Sequence, residues 1–180
     1  ERPSVTSVGI AISMYMGLRI GEVCALQWKE IDLEKRVLTV SKTIQRVQCR
    51  TGSKQTKLII TEPKSESSKR TIPIPDCLLP LLRRFKDNGE VYVVSGRKKP
   101  VEPRTMQYRF AKILHNADLP SFHYHSLRHL FATRCVELGF DVKTLSEILG
   151  HSSVEVTLNR YIHSDMERKR TCMSLLSKCA

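Results

Sequence analysis

Residues 125–161, HSLRHLFATRCVELGFDVKTLSEILGHSSVEVTLNRY, decide the fold because they specify three short helices with short joints. The first helical pattern closes at Gly139, a residue type that commonly ends a helix. Asp141 is placed to cap a second helix, which ends at Gly150. Ser152-Ser-Val-Glu155 is a capping box that opens the third. This part of the chain is therefore expected to form a compact helical lobe.

The residues before this lobe predict further helices around a small sheet. An apolar helix from Val5 to Met16 stops at Gly17, and a second helix follows at once, which puts Arg19 at the junction of the two. Apolar spacing predicts two more helices, at residues 78–88 and 106–114. Short β-branched runs predict strands at residues 37–41, 58–61 and 71–74. The expected fold is mainly α with a small antiparallel β-sheet (α+β).

The composition and charge of the chain indicate which kinds of partner it can have. The chain has 180 residues, a formal net charge of +12 and 41% hydrophobic residues, which is typical of a folded protein with polyanionic partners. The excess charge lies at residues 41–72 and 83–112, where basic residues outnumber acidic ones by eight to two and nine to three. Such runs indicate either a polyanion-binding surface or solvated faces. Two runs with little compensating acid favour the surface.

Several classes are disfavoured. No apolar run approaches the roughly 18 residues of a membrane span, so no membrane partner is expected and a cytoplasmic location is favoured. The six cysteines include no C-x-x-C pair, which argues against a zinc ribbon, a redox motif or a disulfide framework. We expect reduced and mostly buried thiols.

The motif HSLRH at residues 125–129 carries chemistry suited to a phosphodiester. His125 and Arg128 share a helix face, where a guanidinium can hold two phosphate oxygens and an imidazole can transfer a proton. An ordinary surface helix is the competing explanation. His125 and His129 also have the spacing of a zinc helix, with His151 as a candidate third ligand, but Ser126 replaces the glutamate that serves as base there.

Several short blocks occur in a fixed order along the chain. They are GLRIGEVCALQW at 17–28, PK at 63–64, SSKRTIPI at 67–74, HSLRH at 125–129, LGHSS at 149–153 and Tyr161. This series resembles the catalytic domain of the tyrosine recombinases, the phage-type integrase family, over nearly the whole chain. Within that family the sequence is most similar to integrases of bacterial conjugative transposons.

The resemblance implies a reaction and the residues that carry it. The family cleaves a DNA strand by attack of a tyrosine on phosphorus, which leaves a 3′-phosphotyrosyl link and a free 5′-hydroxyl. The family uses neither a metal nor a nucleotide cofactor. Tyr161 matches the nucleophile, and Arg19 and Arg128 match the arginines that hold the non-bridging oxygens. As permanent cations, the arginines stabilise the charge of the transition state.

Three other positions match family residues with a role in proton transfer or phosphate binding. His125 matches the proton acceptor near the tyrosine, and Lys64 matches the general acid that protonates the departing 5′-oxygen. His151 matches the residue that hydrogen-bonds the phosphate. Glu22 fits either an orienter of the arginines or a plain surface carboxylate. Each of these residue types also occurs as an ordinary turn, loop or helix-end residue, and it is their joint order that favours the catalytic assignment.

The resemblance also implies partners and organisation. Residues 1–180 are expected to be a single catalytic domain, a fragment without the DNA-gripping domain that precedes it in the family. The expected partners are double-stranded DNA and further protomers in a DNA-bound tetramer, in a bacterial cytoplasm. The tail, residues 162–180, carries an apolar stripe and is expected to dock on a neighbouring protomer, with its own domain as the alternative.

Two surface features are predicted to meet DNA. The basic stretch at residues 43–57 is longer than a minimal hairpin connection, so it is either an extended β-element that contacts DNA or another protomer, or a solvated loop. Arg97, Lys98 and Lys99 are candidate phosphate contacts. Two rival functions remain: a type IB topoisomerase, which would relax supercoiled plasmid without recombination, and a catalytically silent DNA-binding module.

Overall fold

The computed structural model describes residues 3–48, 56–62, 68–87 and 89–161, with the single positions 166, 170, 173 and 174 beyond them. The helices are α1 Val5–Met16, α2 Ile20–Ala25, α3 Leu79–Phe85, α4 Pro103–Asn116, α5 Ser126–Glu137, α6 Val142–Leu149 and α7 Val154–Tyr161. The strands are β1 Ile31–Asp32, β2 Val37–Val40, β3 Thr43–Gln48, β4 Thr56–Thr61 and β5 Arg70–Pro73. The expectation of a mainly helical fold with a small antiparallel β component is confirmed.

The strands form two sheets rather than the single sheet that the sequence predicts. One sheet has the order β1-β2-β5, with Leu38 opposite both Ile31 and Ile72. The prediction that residues 58–61 join this sheet was wrong, because β4 pairs instead with β3 in a separate two-stranded sheet. The extended β-element proposed at residues 43–57 is therefore present in its two strands, while residues 49–55 lie outside the described residues.

Helix α1 is the centre of the main core, and it fixes where α5 begins. Val8 and Ile12 are fully buried, and Trp28 is buried in the same core. The hydroxyl of Tyr124, just before α5, donates to the carbonyl of Gly9 at 3.1 Å and lies 2.9 Å from the hydroxyl of Ser13. These buried bonds hold the start of α5 against α1 and so position the HSLRH motif.

The helical lobe at the end of the chain follows the sequence signals closely. Asp141 accepts a hydrogen bond from the backbone N–H of Thr144 at 2.9 Å and thereby caps α6. Gly150 ends α6 in the left-handed conformation, at φ 64°. Ala132, Cys135, Val136, Leu145 and Leu149 form a second buried cluster, against which Tyr161 packs.

Three further expectations concern the cysteines, membrane-spanning helices and the tail. Of the described cysteines, Cys24 and Cys135 are buried thiols and Cys77 is an exposed one. In the part of the chain that the structure describes, no helix is long and apolar enough to cross a membrane. Most of the tail at 162–180 lies outside the described residues, so its docking stays a prediction.

Two glycines give a matched test of how α1 ends. Gly17 and Gly139 both have positive φ, but a Cβ at Gly17 would lie 2.5 Å from the ring of Phe131, whereas nothing lies within 4 Å of a Cβ at Gly139. We expect Gly139→Ala to lower the free energy of unfolding by about 1 kcal/mol through backbone strain alone. Gly17→Ala should cost about 2–4 kcal/mol because it adds overpacking. Urea unfolding measures both, and equal losses would contradict the clash.

Candidate functional site

Three arginines meet at the C-terminal end of α6. The carbonyl of Ile148 accepts from Arg70 Nε at 2.6 Å, that of Leu149 from Arg128 Nη2 at 2.7 Å, and that of Gly150 from Arg19 Nη2 at 3.1 Å. The two preceding carbonyls accept backbone N–H groups within the α6 terminus. A helix C-terminus carries partial negative charge and orphan carbonyls, so it attracts cations. The end of α6 is thus a scaffold that gathers guanidinium groups.

Arg128 is the most deeply held of the three. It is 3% exposed, and its Nη1 donates to the carbonyl of Gly17 at 2.7 Å, so it ties α5 to the turn between α1 and α2 as well as to α6. Burial, and after it the charge of Arg19, lowers the pKa of Arg128 to about 9. Because this value is still above 7, the guanidinium is charged at neutral pH. A guanidinium has five N–H donors, so these two bonds leave others for an anion.

Arg19 lies at the junction of α1 and α2, as the sequence predicts, and serves as the N-cap residue of α2. Its side chain is 37% exposed, so it can meet a ligand from solvent. Glu22 accepts from the Arg19 backbone N–H at 2.8 Å and from Arg19 Nη1 at 2.9 Å. The carboxylate therefore fixes both the helix start and the direction of the guanidinium.

The Arg70–Glu22 pair is the feature that sequence reasoning missed. Arg70 Nη1 and Nη2 donate to the two carboxylate oxygens of Glu22 at 3.1 and 2.9 Å, and the two side chains are 7% and 4% exposed. Arg70 belongs to the basic run at 41–72, but it is a buried partner rather than a surface charge. The one signal in the sequence is its place in the block SSKRTIPI, where it opens β5.

The electrostatics of Glu22 explain how a buried carboxylate persists here. Burial alone would raise the pKa of Glu22, but the hydrogen bond and charge of Arg70 and the charge of Arg19 outweigh it, so the pKa lies below its ordinary value. Of the two interpretations left open by the sequence, the surface carboxylate is wrong. Glu22 contacts two arginines directly.

His151 follows Gly150 at the same helix end. Its Nδ1 lies 2.7 Å from the hydroxyl of Thr157, which is fully buried on α7. Burial and the charges of Arg128 and Arg19 lower the pKa of His151 to about 4, so the ring is neutral at pH 7. When the Thr157 hydroxyl donates to Nδ1, the ring proton lies on Nε2 and can be donated to an oxygen.

Tyr161 is the last described residue of α7, and its hydroxyl lies 3.1 Å from Nδ1 of His129 on α5. The rings of His129 and His125 meet edge to face, with centroids 4.6 Å apart. The family resemblance implies that His125 accepts the proton, but His125 is exposed and the Tyr161 hydroxyl lies within hydrogen-bonding distance of His129 instead. The helix spacing places both histidines on one face but does not indicate which one the tyrosine reaches.

The remaining predicted residues fall outside this cluster or outside the described residues. Lys64 is not among the described residues, so its role stays a prediction. Arg97, Lys98 and Lys99 are exposed in a turn that follows the buried run at 91–94. An open pocket of about 340 Å³ adjoins the site, and Lys69, Lys143 and His151 are among its lining residues. Within the described residues, no group of three or more His, Cys, Asp or Glu side chains is arranged to hold a metal ion.

The buried pair yields a stability prediction. Arg70→Met leaves the Glu22 carboxylate with Arg19 as its remaining guanidinium partner, and we expect the free energy of unfolding to fall by about 3–5 kcal/mol. Adding Glu22→Gln should recover part of this loss, because it removes a buried charge that has lost its bidentate partner. Asp76→Asn, which breaks the exposed pair with Arg36, is the control and should change little. Urea unfolding measures all three variants, and a loss no larger than that of the control would contradict the buried pair.

The same pair gives a pH dependence of known sign. A pKa that is lowered on folding contributes stability that is present above the ordinary value of 4.5 and lost as pH falls through the folded value. Unfolding measured from neutral to acid pH should therefore show a steeper loss in the parent than in Glu22→Gln. Parallel curves would mean that Glu22 does not carry this charge.

Comparisons with known proteins identify the family of this chain. The family model described as the phage integrase family matches residues 5–168. A tyrosine recombinase XerC-like protein of Caldanaerobacter subterraneus is 33% identical, over 89% of this chain and 46% of its own length. The ICEBs1 integrase of Bacillus subtilis is 28% identical over 84% of this chain and 43% of its own length.

Solved structures are similar as well. The Tn1549 transposon integrase, in complex with a circular intermediate DNA, has a TM-score of 0.72 and 28% identity, over 94% of this chain and 58% of that one. The XerA recombinase shares the fold, with a TM-score of 0.65. The chain spans about half the length of the curated relatives it matches. On the match of residues 5–168 and the shared fold, the chain belongs to the phage integrase family and has the fold of a tyrosine recombinase catalytic domain.

Proposed function

We propose that this chain cleaves and rejoins DNA strands through a covalent 3′-phosphotyrosyl intermediate formed by Tyr161. One observation carries the proposal. Arg19 and Arg128 donate to consecutive carbonyls at the end of α6, next to His151, and the hydroxyl of Tyr161 bonds a histidine on the same helix as Arg128. Cations, a hydrogen-bond donor and a nucleophile are thus gathered around one helix end.

The two arginines supply the charge that phosphoryl transfer needs. The pentacoordinate transition state concentrates negative charge on the non-bridging oxygens, and fixed guanidinium groups can stabilise it without reorganising. Arg128 is fixed by bonds to Gly17 and Leu149, while the more exposed Arg19 is aimed by Glu22. We assign both to the scissile phosphate, and His151 to a third hydrogen bond on the same group.

Tyr161 needs help to act as the nucleophile. A phenol with a pKa near 10 is about 4 kcal/mol from ionisation at pH 7, and neighbouring groups must offset this cost. In the forward step the phenol oxygen bonds phosphorus, the bond from phosphorus to the 5′-oxygen breaks, and that oxygen takes a proton. The histidine pair His125 and His129 is the nearby acceptor for the phenol proton, and Lys64 remains our proposal for the group that protonates the 5′-oxygen.

The partners we propose follow from charge and from the relatives. The similar proteins include the Tn1549 transposon integrase in complex with DNA and the ICEBs1 integrase, so we infer that this chain acts on double-stranded DNA of a mobile element. The net charge of +12 is consistent with that partner. Assembly as a tetramer on DNA and action in a bacterial cytoplasm are further parts of the proposal.

Trapping the intermediate tests the function. In nicked duplexes with a randomised sequence, the short fragment that carries the new 5′-hydroxyl dissociates after cleavage, which traps the covalent complex. We expect a denaturation-resistant protein–DNA adduct with the parent chain, no adduct with Tyr161→Phe, and equal DNA affinity for both. The adduct should persist in EDTA. An adduct formed by Tyr161→Phe, or its loss in EDTA, would sink the assignment.

The salt dependence of binding tests the predicted DNA-facing turn. Replacing Arg97, Lys98 and Lys99 with glutamine should flatten the slope of log affinity against log salt by up to about 0.9 for each phosphate that is no longer neutralised. The control removes three exposed charges outside the two basic segments: Lys35, Arg36 and Arg134. Equal slopes for the two triple variants would place the DNA elsewhere.

A further inference from the structure

The hydroxyl of Tyr161 has a specific partner that the family resemblance does not assign. It lies 3.1 Å from Nδ1 of His129, within hydrogen-bonding distance, and the two ring centroids are 5.6 Å apart. His129 is half-buried one helical turn beyond His125, on the same side of α5. The contact thus puts a titratable nitrogen directly on the atom proposed to attack phosphorus.

We propose that His129 is a catalytic residue, the general base that takes the proton of the Tyr161 hydroxyl as its oxygen attacks the scissile phosphorus. This inference rests on the proposed function and names the acceptor for it. The proton moves from the phenol to Nδ1, and the phenol oxygen bonds phosphorus as the bond to the 5′-oxygen breaks. In the rejoining step the 5′-hydroxyl returns its proton to the group that had protonated it, its oxygen bonds phosphorus, and the bond from phosphorus to the phenol oxygen breaks. The departing phenol oxygen takes its proton back from the imidazolium of His129.

The surroundings of His129 suit a base. Burial, and with it the charges of Arg160 on α7 and Arg128 on α5, lowers the pKa of His129, so the ring is neutral and able to accept a proton at pH 7. The edge-to-face ring of His125 and the hydroxyl of Tyr161 are the other titratable neighbours. A DNA phosphate bound at the arginines adds negative charge nearby, which raises the basicity of His129 when substrate is present.

His125 is placed differently. It is the N-cap residue of α5, is exposed, and meets His129 rather than donating a ring nitrogen to the tyrosine bond described above. Burial and then His129 itself lower its pKa. We therefore assign to His125 the role of packing against the ring of His129, and not the role of proton acceptor. The matched variants His129→Gln and His125→Gln separate the two roles.

The test is the pH dependence of single-turnover adduct formation on nicked duplexes with a randomised sequence. In the parent the rate should rise from acid pH as His129 loses its proton and then reach a plateau near neutrality. His129→Gln should lose about 10²–10⁴-fold at pH 7 and instead climb about tenfold per pH unit towards the phenol pKa. His125→Gln should keep the plateau of the parent, whatever its rate. A plateau in His129→Gln, or its loss in His125→Gln alone, overturns the proposal.

A second experiment makes the tyrosine easier to ionise, so that the reaction depends less on a base. A fluorinated tyrosine at position 161 ionises at lower pH, so it should restore most of the rate to His129→Gln, whereas a variant that has merely lost structure gains nothing. A third readout is independent of activity: the ¹⁵N shift of His129 Nδ1 should be that of an acceptor and should move in Tyr161→Phe. An unmoved shift overturns the contact. If the parent forms no adduct while the shift moves, the proposed function has failed rather than the contact.

Discussion

The end of α6 is the constraint on which the rest of the site depends. Five successive carbonyls, from Ser146 to Gly150, all find donors, the first two from backbone N–H groups and the last three from arginine side chains. Those arginines come from β5, α5 and the α1–α2 junction, which are far apart in sequence. One helix terminus therefore fixes three distant elements relative to one another, because each unmade bond would leave a carbonyl without a partner.

The charge balance at this point favours an anionic ligand. Glu22 is the carboxylate shared by Arg19 and Arg70, and Arg128 lies beside them. One carboxylate and a partial helix-end charge do not neutralise three guanidinium groups, so the site has a positive excess that a phosphate can satisfy. Burial, and next to it the charges of nearby arginines, lowers the pKa values of His151 and His129, so both rings are neutral at pH 7. A phosphate bound here would relieve the repulsion among the three guanidinium groups.

The sequence predicted those parts of the molecule that depend on local signals. Gly17, Gly150 and the Asp141 cap each mark a helix end through the conformation or hydrogen bonding of a few neighbouring residues. It failed where contacts join distant segments. The pairing of β4 with β3, the burial of Arg70 against Glu22, and the choice of His129 by the tyrosine all depend on how elements pack, which residue spacing does not encode.

Tyr161, the proposed nucleophile, is tied to the same helix end by side chains. Thr157, one helical turn before Tyr161, bonds His151, and Tyr161 packs against the cluster that contains Leu145 and Leu149 of α6. Movement of α7 would therefore disturb the contact with His151 and the packing of Tyr161 together, since Thr157 and Tyr161 lie on the same helix. The groups that would bind the phosphate and the group that would attack it share one support. Contacts within the chain therefore hold these groups in position relative to one another, which is the kind of arrangement that lowers the reorganisation cost of a reaction.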